Sequence, residues 1–273
     1  IKTIPSTYDN YIQWLLDIIV EKKVDLIIPG IEIDMKLWNL HRGLIEKMGV
    51  KVLLNDSNLI DLCSDKWVFY KYMRENNISY SIQSSLDTNY SLLKETLGEI
   101  LLVKPRRGFG SKGIVKIENE KVFESIKDEV GSNLMVQEYV GSDDEEYSCS
   151  AFCDGQGSFF DLMILKRKLS KDGFTEKAWV VEDEELVNAV SDISFCFKPI
   201  GPTNFQFRKN SDNTIKLLEI NPRISSSTSI RSAFGYNESV MAVDFFMNNK
   251  KIEKGIIKKG KAIRYTEDYI FYE

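Results

Sequence analysis

The sequence is poor in the residues that mark several common kinds of functional site. It has one histidine, His41, in 273 residues, which excludes histidine-based catalytic triads and metal sites built from several histidines. Its four cysteines show neither the spacing of a zinc site nor a disulfide framework. No apolar run is long enough to span a bilayer, and no secretory signal pattern is present. These features predict a cytoplasmic protein without a membrane partner.

The charge balance limits the partners further. The formal net charge is −5, and the 36 lysine and arginine residues form no long basic block. Because nucleic acid binding relies on clustered basic side chains, nucleic acid is not expected as the main partner. The chain is 43% hydrophobic, which is enough for a sizeable core in one or two domains.

The pattern of strands and helices changes along the chain. Apolar strands at 24–28 and 50–54, with a helix between them that runs to about Met48, predict a small parallel sheet that ends near Cys63. That helix is predicted to bury one stripe, made of Leu37, Leu40, Leu44 and Met48. From about residue 99 strands dominate, and a single long helix is predicted at 227–247.

Two short motifs predict a polar hairpin. Asn204-Phe205-Gln206-Phe207 and Glu219-Ile220-Asn221-Pro222-Arg223 flank an Asp212-Asn213 pair that is typical of a two-residue turn. With that turn, Gln206 lies opposite Glu219, and Asn204 lies opposite Asn221. Side chains alternate along strands, so these four point to one face, and Phe205, Phe207, Leu218 and Ile220 take the other.

The polar face of this hairpin has the chemistry of a magnesium and phosphate site. Carboxylate and amide oxygens suit Mg²⁺, which is usually held by a few protein oxygens together with substrate phosphates. The neighbouring Arg223 can grip a phosphoryl oxygen. The alternative is a solvated hairpin face with unrelated polar residues.

A glycine loop lies between two strands in the middle of the chain. Residues 108–113 match the dinucleotide-binding pattern G-x-G-x-x-G, but a strand follows the loop where that motif needs a helix. The loop also lacks the Gly-Lys-Ser/Thr ending of a Walker A motif. We interpret it as a flap over phosphates, with Lys66 and Lys104 as nearby charges; the alternative is a surface hairpin. Arg167 is predicted on the opposite strand face from Lys166 and Lys168, and one of those faces either contacts phosphates or an acidic substrate or is a solvated edge.

Taken together, these motifs resemble the ATP-grasp superfamily. The similarity is greatest to the synthetase component of the carbamoyl-phosphate synthase large subunit and its stand-alone relatives. The resemblance implies an α+β fold in which two subdomains grip ATP, preceded by a partial α/β Rossmann-like domain. The implied boundaries are 1–63 for the partial domain, 64–140 for the small subdomain with the flap, and 141–273 for the large subdomain with the metal site.

The resemblance also implies roles for individual residues, with ATP and Mg²⁺ as cofactors and Mn²⁺ as an alternative metal. Lys66 and Lys104 contact phosphates, under a cover formed by Gly108, Gly110, Ser111 and Gly113. Glu138, Tyr139 and Val140 form the hinge beside adenine, and Glu138 or Glu146 binds the ribose. The implied metal ligands are Gln206, Glu219 and Asn221. Arg223 steadies the transferred phosphoryl group and shares the catalytic role with Lys104.

The implied activity is that of a ligase that joins a small-molecule carboxylate to an amine or ammonia through an acylphosphate. The alternatives are an ATP-binding regulatory or assembly subunit without turnover, and a phosphotransferase with the same fold. Relatives have a further β–α unit before the region that matches residues 1–54. A homodimer contact or a separate partner segment is therefore expected to supply that part.

Overall fold

The computed structural model describes residues 4–108, 112–170, 173–265, 267–268 and 270–271. Its helices are α1 (Tyr11–Lys22), α2 (Glu32–Leu40), α3 (Arg42–Glu46), α4 (Ser57–Cys63), α5 (Lys66–Glu75), α6 (Tyr90–Leu97), α7 (Glu120–Glu124), α8 (Glu184–Phe197), α9 (Thr228–Ala233) and α10 (Glu238–Phe246). Its strands are β1 (Leu26–Ile27), β2 (Lys51–Val52), β3 (Ser84–Ser85), β4 (Leu101–Pro105), β5 (Val115–Ile117), β6 (Leu134–Glu138), β7 (Glu146–Asp154), β8 (Phe159–Leu169), β9 (Thr175–Val181), β10 (Ile200–Lys209), β11 (Ile215–Asn221) and β12 (Lys261–Ile263).

The strands form three sheets. β1 and β2 make a two-stranded parallel sheet near the start of the chain. A four-stranded sheet has the order β3-β6-β4-β5, and a six-stranded sheet has the order β11-β10-β7-β8-β9-β12. Neighbouring strands in both larger sheets are antiparallel. This mixture of helices with largely antiparallel sheets confirms the predicted α+β class. No helix in the part of the chain described above is long and apolar enough to cross a membrane.

The prediction of one helix that runs to Met48 is wrong both in the length of the helix and in the side chains that it buries. The backbone leaves the helical conformation at His41 (φ −105°, ψ 15°), so α2 ends there and α3 starts in a new phase. Leu40 is 77% exposed, and Leu44 is exposed as well. The core instead takes Met35, Trp38 and Ile45. A single helical period therefore does not apply across the break.

The six-stranded sheet has one apolar face and one polar face. Its apolar face packs against α8 and α5, and Cys149, Cys153, Phe205 and Phe207 are fully buried there. Cys149 and Cys153 pack on this face as small apolar side chains. The opposite face is covered by α9 and α10 at one end, where Met163 and Leu165 pack, and is polar at the other end. That polar end holds the candidate site.

The hairpin between β10 and β11 has the predicted pairing at the site but a different turn. Asn213 lies in the left-handed region (φ +64°), and the Asn210 amide donates to the Thr214 carbonyl (3.0 Å), so three residues close the turn. A register shift after Gln206 compensates for the extra residue, and Gln206 still lies opposite Glu219. The shift moves Leu217 into the core and leaves Leu218 lining a cavity between the sheets, so the predicted place of Leu218 on the core face is wrong.

The helix predicted at 227–247 is two helices. Gly235 adopts φ +102°, and a Cβ added there would lie 2.4 Å from the carbonyl oxygen of Ile256. Only glycine fits this close approach, and α9 ends just before it. The break sends α10 across the sheet at Phe152.

Asn55 ties the N-terminal parallel sheet to the large sheet. Its Nδ2 donates to Oγ1 of Thr203 (3.0 Å), and its Oδ1 accepts from the backbone amide of Ile200 (2.9 Å). Asn55 is almost fully buried, so both bonds are shielded from water. The carboxyl end of β2 is thereby held against β10.

Candidate functional site

The predicted metal ligands lie together on the polar face of the large sheet. Gln206 pairs with Glu219 across β10 and β11, and Nδ2 of Asn221 donates to Oε1 of Glu219 (2.9 Å). Oδ1 of Asn221 faces Nη2 of Arg223 at 3.4 Å. Across the described ranges, no group of three or more histidine, cysteine, aspartate or glutamate side chains could hold a metal. A metal here would therefore rely on amide oxygens beside one carboxylate, a donor set that fits Mg²⁺.

Glu219 remains a carboxylate in spite of its burial. Burial raises its pKa, but the charge of Lys66, the Asn221 hydrogen bond and the charges of Lys104 and Arg167 outweigh that effect. The pKa of Glu219 therefore lies below its ordinary value. The group carries its negative charge at neutral pH, as a metal ligand must.

Lys104 lies on β4 of the small sheet, facing Glu219 from the other side of the cleft. Its Nζ donates to Oε1 of Gln137 (2.6 Å), and only 7% of the residue is exposed. Burial, together with the charges of Lys66 and Arg208, lowers the pKa of Lys104 to about 7 against the opposing charge of Glu219. Such a lysine is ready to gain charge when an anion arrives.

Lys66 starts α5 and contacts the root of the glycine loop. Its Nζ donates to the Gly108 carbonyl (2.8 Å), and its amide donates to the Arg106 carbonyl (2.8 Å). The helix cap, Asp65, also pairs with the guanidinium groups of Arg106 and Arg107. The first turn of α5 and the loop root therefore form one unit.

The glycine loop is described only at its two ends. Gly108 (φ +136°) and Gly113 (φ +75°) adopt conformations that favour glycine, as a tight flap requires. Gly110 and Ser111 lie outside the described residues. The cover over phosphates stays a prediction.

The predicted hinge leaves the small sheet at the end of β6. Oε1 of Glu138 accepts from the backbone amide of Gln83 (2.9 Å), and the Val140 carbonyl faces Nη1 of Arg208 at 3.5 Å. Tyr139 stacks under the ammonium of Lys116, 4.8 Å from the ring centre. A cavity beside the hinge lies between the two sheets and has an apolar and a cationic side. Its lining includes Lys66, Phe69, Met73, Ile82, Lys104 and Leu218.

Glu146 is bonded by two arginines. Its Oε1 accepts from Nε and Nη2 of Arg167 (3.1 and 2.7 Å), and its Oε2 accepts from Nε and Nη2 of Arg208 (3.2 and 3.0 Å). Both carboxylate oxygens are thus engaged by protein donors. Of the two candidate ribose ligands, Glu138 has the more exposed carboxylate, with 23% of its side chain accessible against 4% for Glu146.

Arg223 lies beside the predicted metal ligand Asn221, two residues further along the chain. Its Nη1 donates to the Ile224 carbonyl (2.9 Å), and its Nε is buried without a hydrogen-bond partner in the described part of the chain. Burial lowers the pKa of Arg223, and Glu32, Glu219 and Glu238 counteract it. A guanidinium with unused donor capacity can still bind oxygen ligands.

Two arginines at this site, Arg208 and Arg231, are not among the predicted site residues, and the sequence pattern leaves the role of Arg167 open. Arg231 is fully buried on α9, where its Nη2 donates to Oδ1 of Asn204 (3.1 Å) and Oγ of Ser148 (2.8 Å). Strand alternation places Arg208 on the face of Gln206, which is the one signal that could have found it.

The chain is similar to a larger protein of known type. It is 26% identical over 238 residues to the carbamoyl phosphate synthase large chain of Thermoanaerobacter sp. (strain X514). The match covers 80% of this chain, which spans about a fifth (21%) of the length of that relative. The similarity is therefore to one part of a much longer chain.

Solved structures with low sequence identity share the fold. The biotin carboxylase domain of Hydrogenobacter thermophilus 2-oxoglutarate carboxylase, in complex with MgADP and bicarbonate, has a TM-score of 0.73 at 15% identity, over 96% of this chain and 62% of that one. N5-carboxyaminoimidazole synthetase from Staphylococcus aureus, complexed with ADP, has a TM-score of 0.66 at 19% identity, over 86% and 63%. The predicted ATP-grasp fold is confirmed.

A family model matches just over half of the chain, at residues 131–269. That range contains the large sheet with Gln206, Glu219, Asn221 and Arg223, whose geometry is given above. The model is described as "ATP-grasp in the biosynthetic pathway with Ter operon". The chain belongs to this ATP-grasp family.

Proposed function

We propose that this chain is an ATP- and Mg²⁺-dependent ligase that activates a carboxylate as an acylphosphate and passes it to an amine or ammonia. The observation that carries the proposal is the meeting of two sets of groups in one cleft. Glu219 and Asn221 offer oxygen ligands from the large sheet. Lys104 on the small sheet and Lys66 at the start of α5 bring positive charge, and the charge of each acts on the Glu219 carboxylate. Structures of similar fold that contain ADP or MgADP support the same use of the cleft.

Each group then has a distinct task in phosphoryl transfer. Lys66 and Lys104 hold phosphate oxygens, and Arg223 neutralises charge that develops on the transferred group. Gln206, Glu219 and Asn221 would hold Mg²⁺, which supplies charge neutralisation at the phosphates. The ionised carboxylate substrate attacks the γ-phosphorus, and the bond from this phosphorus to ADP breaks as ADP leaves. Because the attacking oxygen carries no proton, this step needs no histidine base. The amine or ammonia then attacks the acyl carbon, the acyl–phosphate bond breaks, and the departing phosphate takes up the proton that the amine loses.

The finer activity is proposed from the carbamoyl phosphate synthase relative. In that version bicarbonate or a similar small carboxylate is phosphorylated and ammonia or a simple amine attacks it. We also propose domain boundaries at residues 63 and 140, and a second copy of this chain or a separate segment as its partner.

The experiment is an ADP-release assay with ATP and Mg²⁺ over a panel of carboxylates, each with and without an amine panel. Hydroxylamine added to the carboxylate-only reactions traps an acylphosphate as a hydroxamate. The Glu219→Gln variant is the control, because an amide cannot neutralise divalent charge, and we expect it to fold normally and lose turnover.

The outcomes separate the candidate functions. ADP release with a trapped hydroxamate and an amide product supports the ligase. A stable phosphorylated product without an amide indicates a phosphotransferase. Tight MgATP binding without ADP release across both panels indicates a regulatory or assembly subunit and contradicts the proposal.

A further inference from the structure

A row of buried charged side chains crosses three strands beside the candidate metal ligands. Arg167 on β8, Glu146 on β7 and Arg208 on β10 are directly paired across the sheet. Their side chains are 16% exposed or less. Glu146 receives a two-pronged hydrogen bond from each arginine, and such paired bonds hold both partners in a fixed orientation.

The two arginines differ in their second contact. Nη2 of Arg167 also donates to Oε1 of Gln206, the side chain that lies opposite Glu219. Arg208 instead reaches Asp143 (2.9 Å) and the Val140 carbonyl, on the hinge side of the cleft. The row therefore has a metal end at Arg167 and a hinge end at Arg208.

The Gln206 amide needs a partner that selects its orientation. Its two ends are nearly equal in size, but only the oxygen can bind a cation. A guanidinium has donors and no acceptor, so it pairs with the oxygen and excludes the reversed amide. The carbonyl oxygen has two lone pairs, and Arg167 uses one, which leaves the second for a metal.

An unpaired arginine next to Gln206 would repel a metal ion bound there, and the acidic partners of the two arginines reduce that repulsion. Glu146 balances the charge of Arg167, and Asp143 balances that of Arg208. A paired guanidinium repels a divalent ion less than an unpaired one would. Nothing in the phosphoryl-transfer scheme above uses Arg167 or Arg208.

We propose that Arg167 is a positioning residue for the metal site, which acts by holding the Gln206 oxygen toward Glu219, with Glu146 as its charge partner. The inference rests on the proposed function only in taking Gln206 as a ligand of the magnesium that accompanies the nucleotide. Groups that orient metal ligands are commonly worth 10- to 100-fold in metal affinity. Arg208, bonded to the same carboxylate but not to Gln206, is a natural matched control.

The experiment measures the dissociation constant for ADP by titration calorimetry on the full chain, once with EDTA and once with saturating Mg²⁺. The dissociation constant with EDTA divided by the constant with Mg²⁺ reports how much the metal strengthens ADP binding. A purely structural role of Arg167 would leave this ratio unchanged. We expect Arg167→Met to lower this ratio about 10-fold or more. Arg208→Met and the exposed, opposite-face Lys168→Met should keep the ratio of the unmodified protein.

Two further variants test the route of the effect. In a Gln206→Ala background, Arg167→Met should change the ratio no further, because the residue through which it acts is absent. Arg167→Lys keeps the charge but has a single donor group, and we expect an intermediate ratio. It also serves as the test should Arg167→Met fail to fold.

Three results would overturn the inference. The ratio could be unchanged in the Arg167 variants, or Arg208→Met could lower it as much as Arg167→Met does. Arg167→Met could also lower the ratio in the Gln206→Ala background as much as it does in the unmodified protein. In each case the unmodified protein still shows a Mg²⁺-dependent ratio, and the proposed function stands. A ratio near one in the unmodified protein overturns both.

Discussion

The buried Lys104 ammonium should make nucleotide binding depend on pH near neutrality. Its pKa is about 7, because burial, Lys66 and Arg208 together outweigh the favourable charge of Glu219. A triphosphate beside Lys104 favours the charged form and raises this pKa on binding. The affinity for MgATP should therefore fall as the pH rises through the pKa of the free protein.

The size of the effect follows from the fraction of Lys104 that is protonated. With a pKa of about 7, that fraction drops about tenfold between pH 6 and pH 8, which corresponds to roughly 1.4 kcal/mol of binding free energy. At pH 8 the protein should take up close to one proton for each nucleotide bound.

Titration calorimetry in two buffers of different ionisation enthalpy counts this proton directly. Lys104→Met is the control, since it cannot titrate, and its own pH dependence accounts for the nucleotide phosphate. In Lys66→Met the transition should move to higher pH, because the Lys66 charge is the second cause of the lowered pKa. Equal proton uptake by the unmodified protein and Lys104→Met would refute the reasoning.

Folding stability gives a second measurement with a defined sign. The pKa of Lys104 is about 7 in the folded protein and about 10.4 when unfolded, so the unfolded state holds the extra proton between these values. The free energy of unfolding should rise with pH in this window relative to Lys104→Met.

Three further predictions concern the cap of α5, the hinge and the base pocket. Burial opposes ionisation of Asp65, but its bond to Arg106 and its backbone bonds keep its pKa below the ordinary value. Asp65→Asn should therefore lower the urea-measured unfolding free energy by about 1–3 kcal/mol at pH 7, and the difference should shrink as the pH falls through the lowered pKa of the folded carboxyl group. Gly141→Ala places a Cβ 2.5 Å from the Lys209 carbonyl oxygen at φ +61° and should destabilise by more than about 1 kcal/mol, whereas Gly43→Ala, with open space in α3, should be neutral or stabilising in the same urea titration. Backbone groups of residues 138–140 should favour adenine over guanine by about 1–3 kcal/mol for each mispaired buried group, and equal calorimetric affinities for ATP and GTP would contradict that pocket.

The sequence alone was enough for those features that depend on local pattern. Strand alternation places Gln206 and Glu219 on one face and Phe205 and Phe207 on the other, because side chains alternate whatever the strand packs against. A strand is predicted directly after the glycine loop, and this excludes a dinucleotide-binding motif because that motif needs a helix there. The order of these motifs along the chain was enough to identify the ATP-grasp fold.

Contacts between segments that are distant in sequence determine the features that the local pattern does not predict. The helix break at Gly235 exists because the Ile256 carbonyl approaches its Cα, and the register shift that turns Leu218 toward the cleft compensates for a three-residue turn. Arg167 meets Glu146 and Gln206 across gaps of 21 and 39 residues. No local period encodes such pairings, since they depend on which strands lie side by side, and only the folded sheet brings these charges into one row.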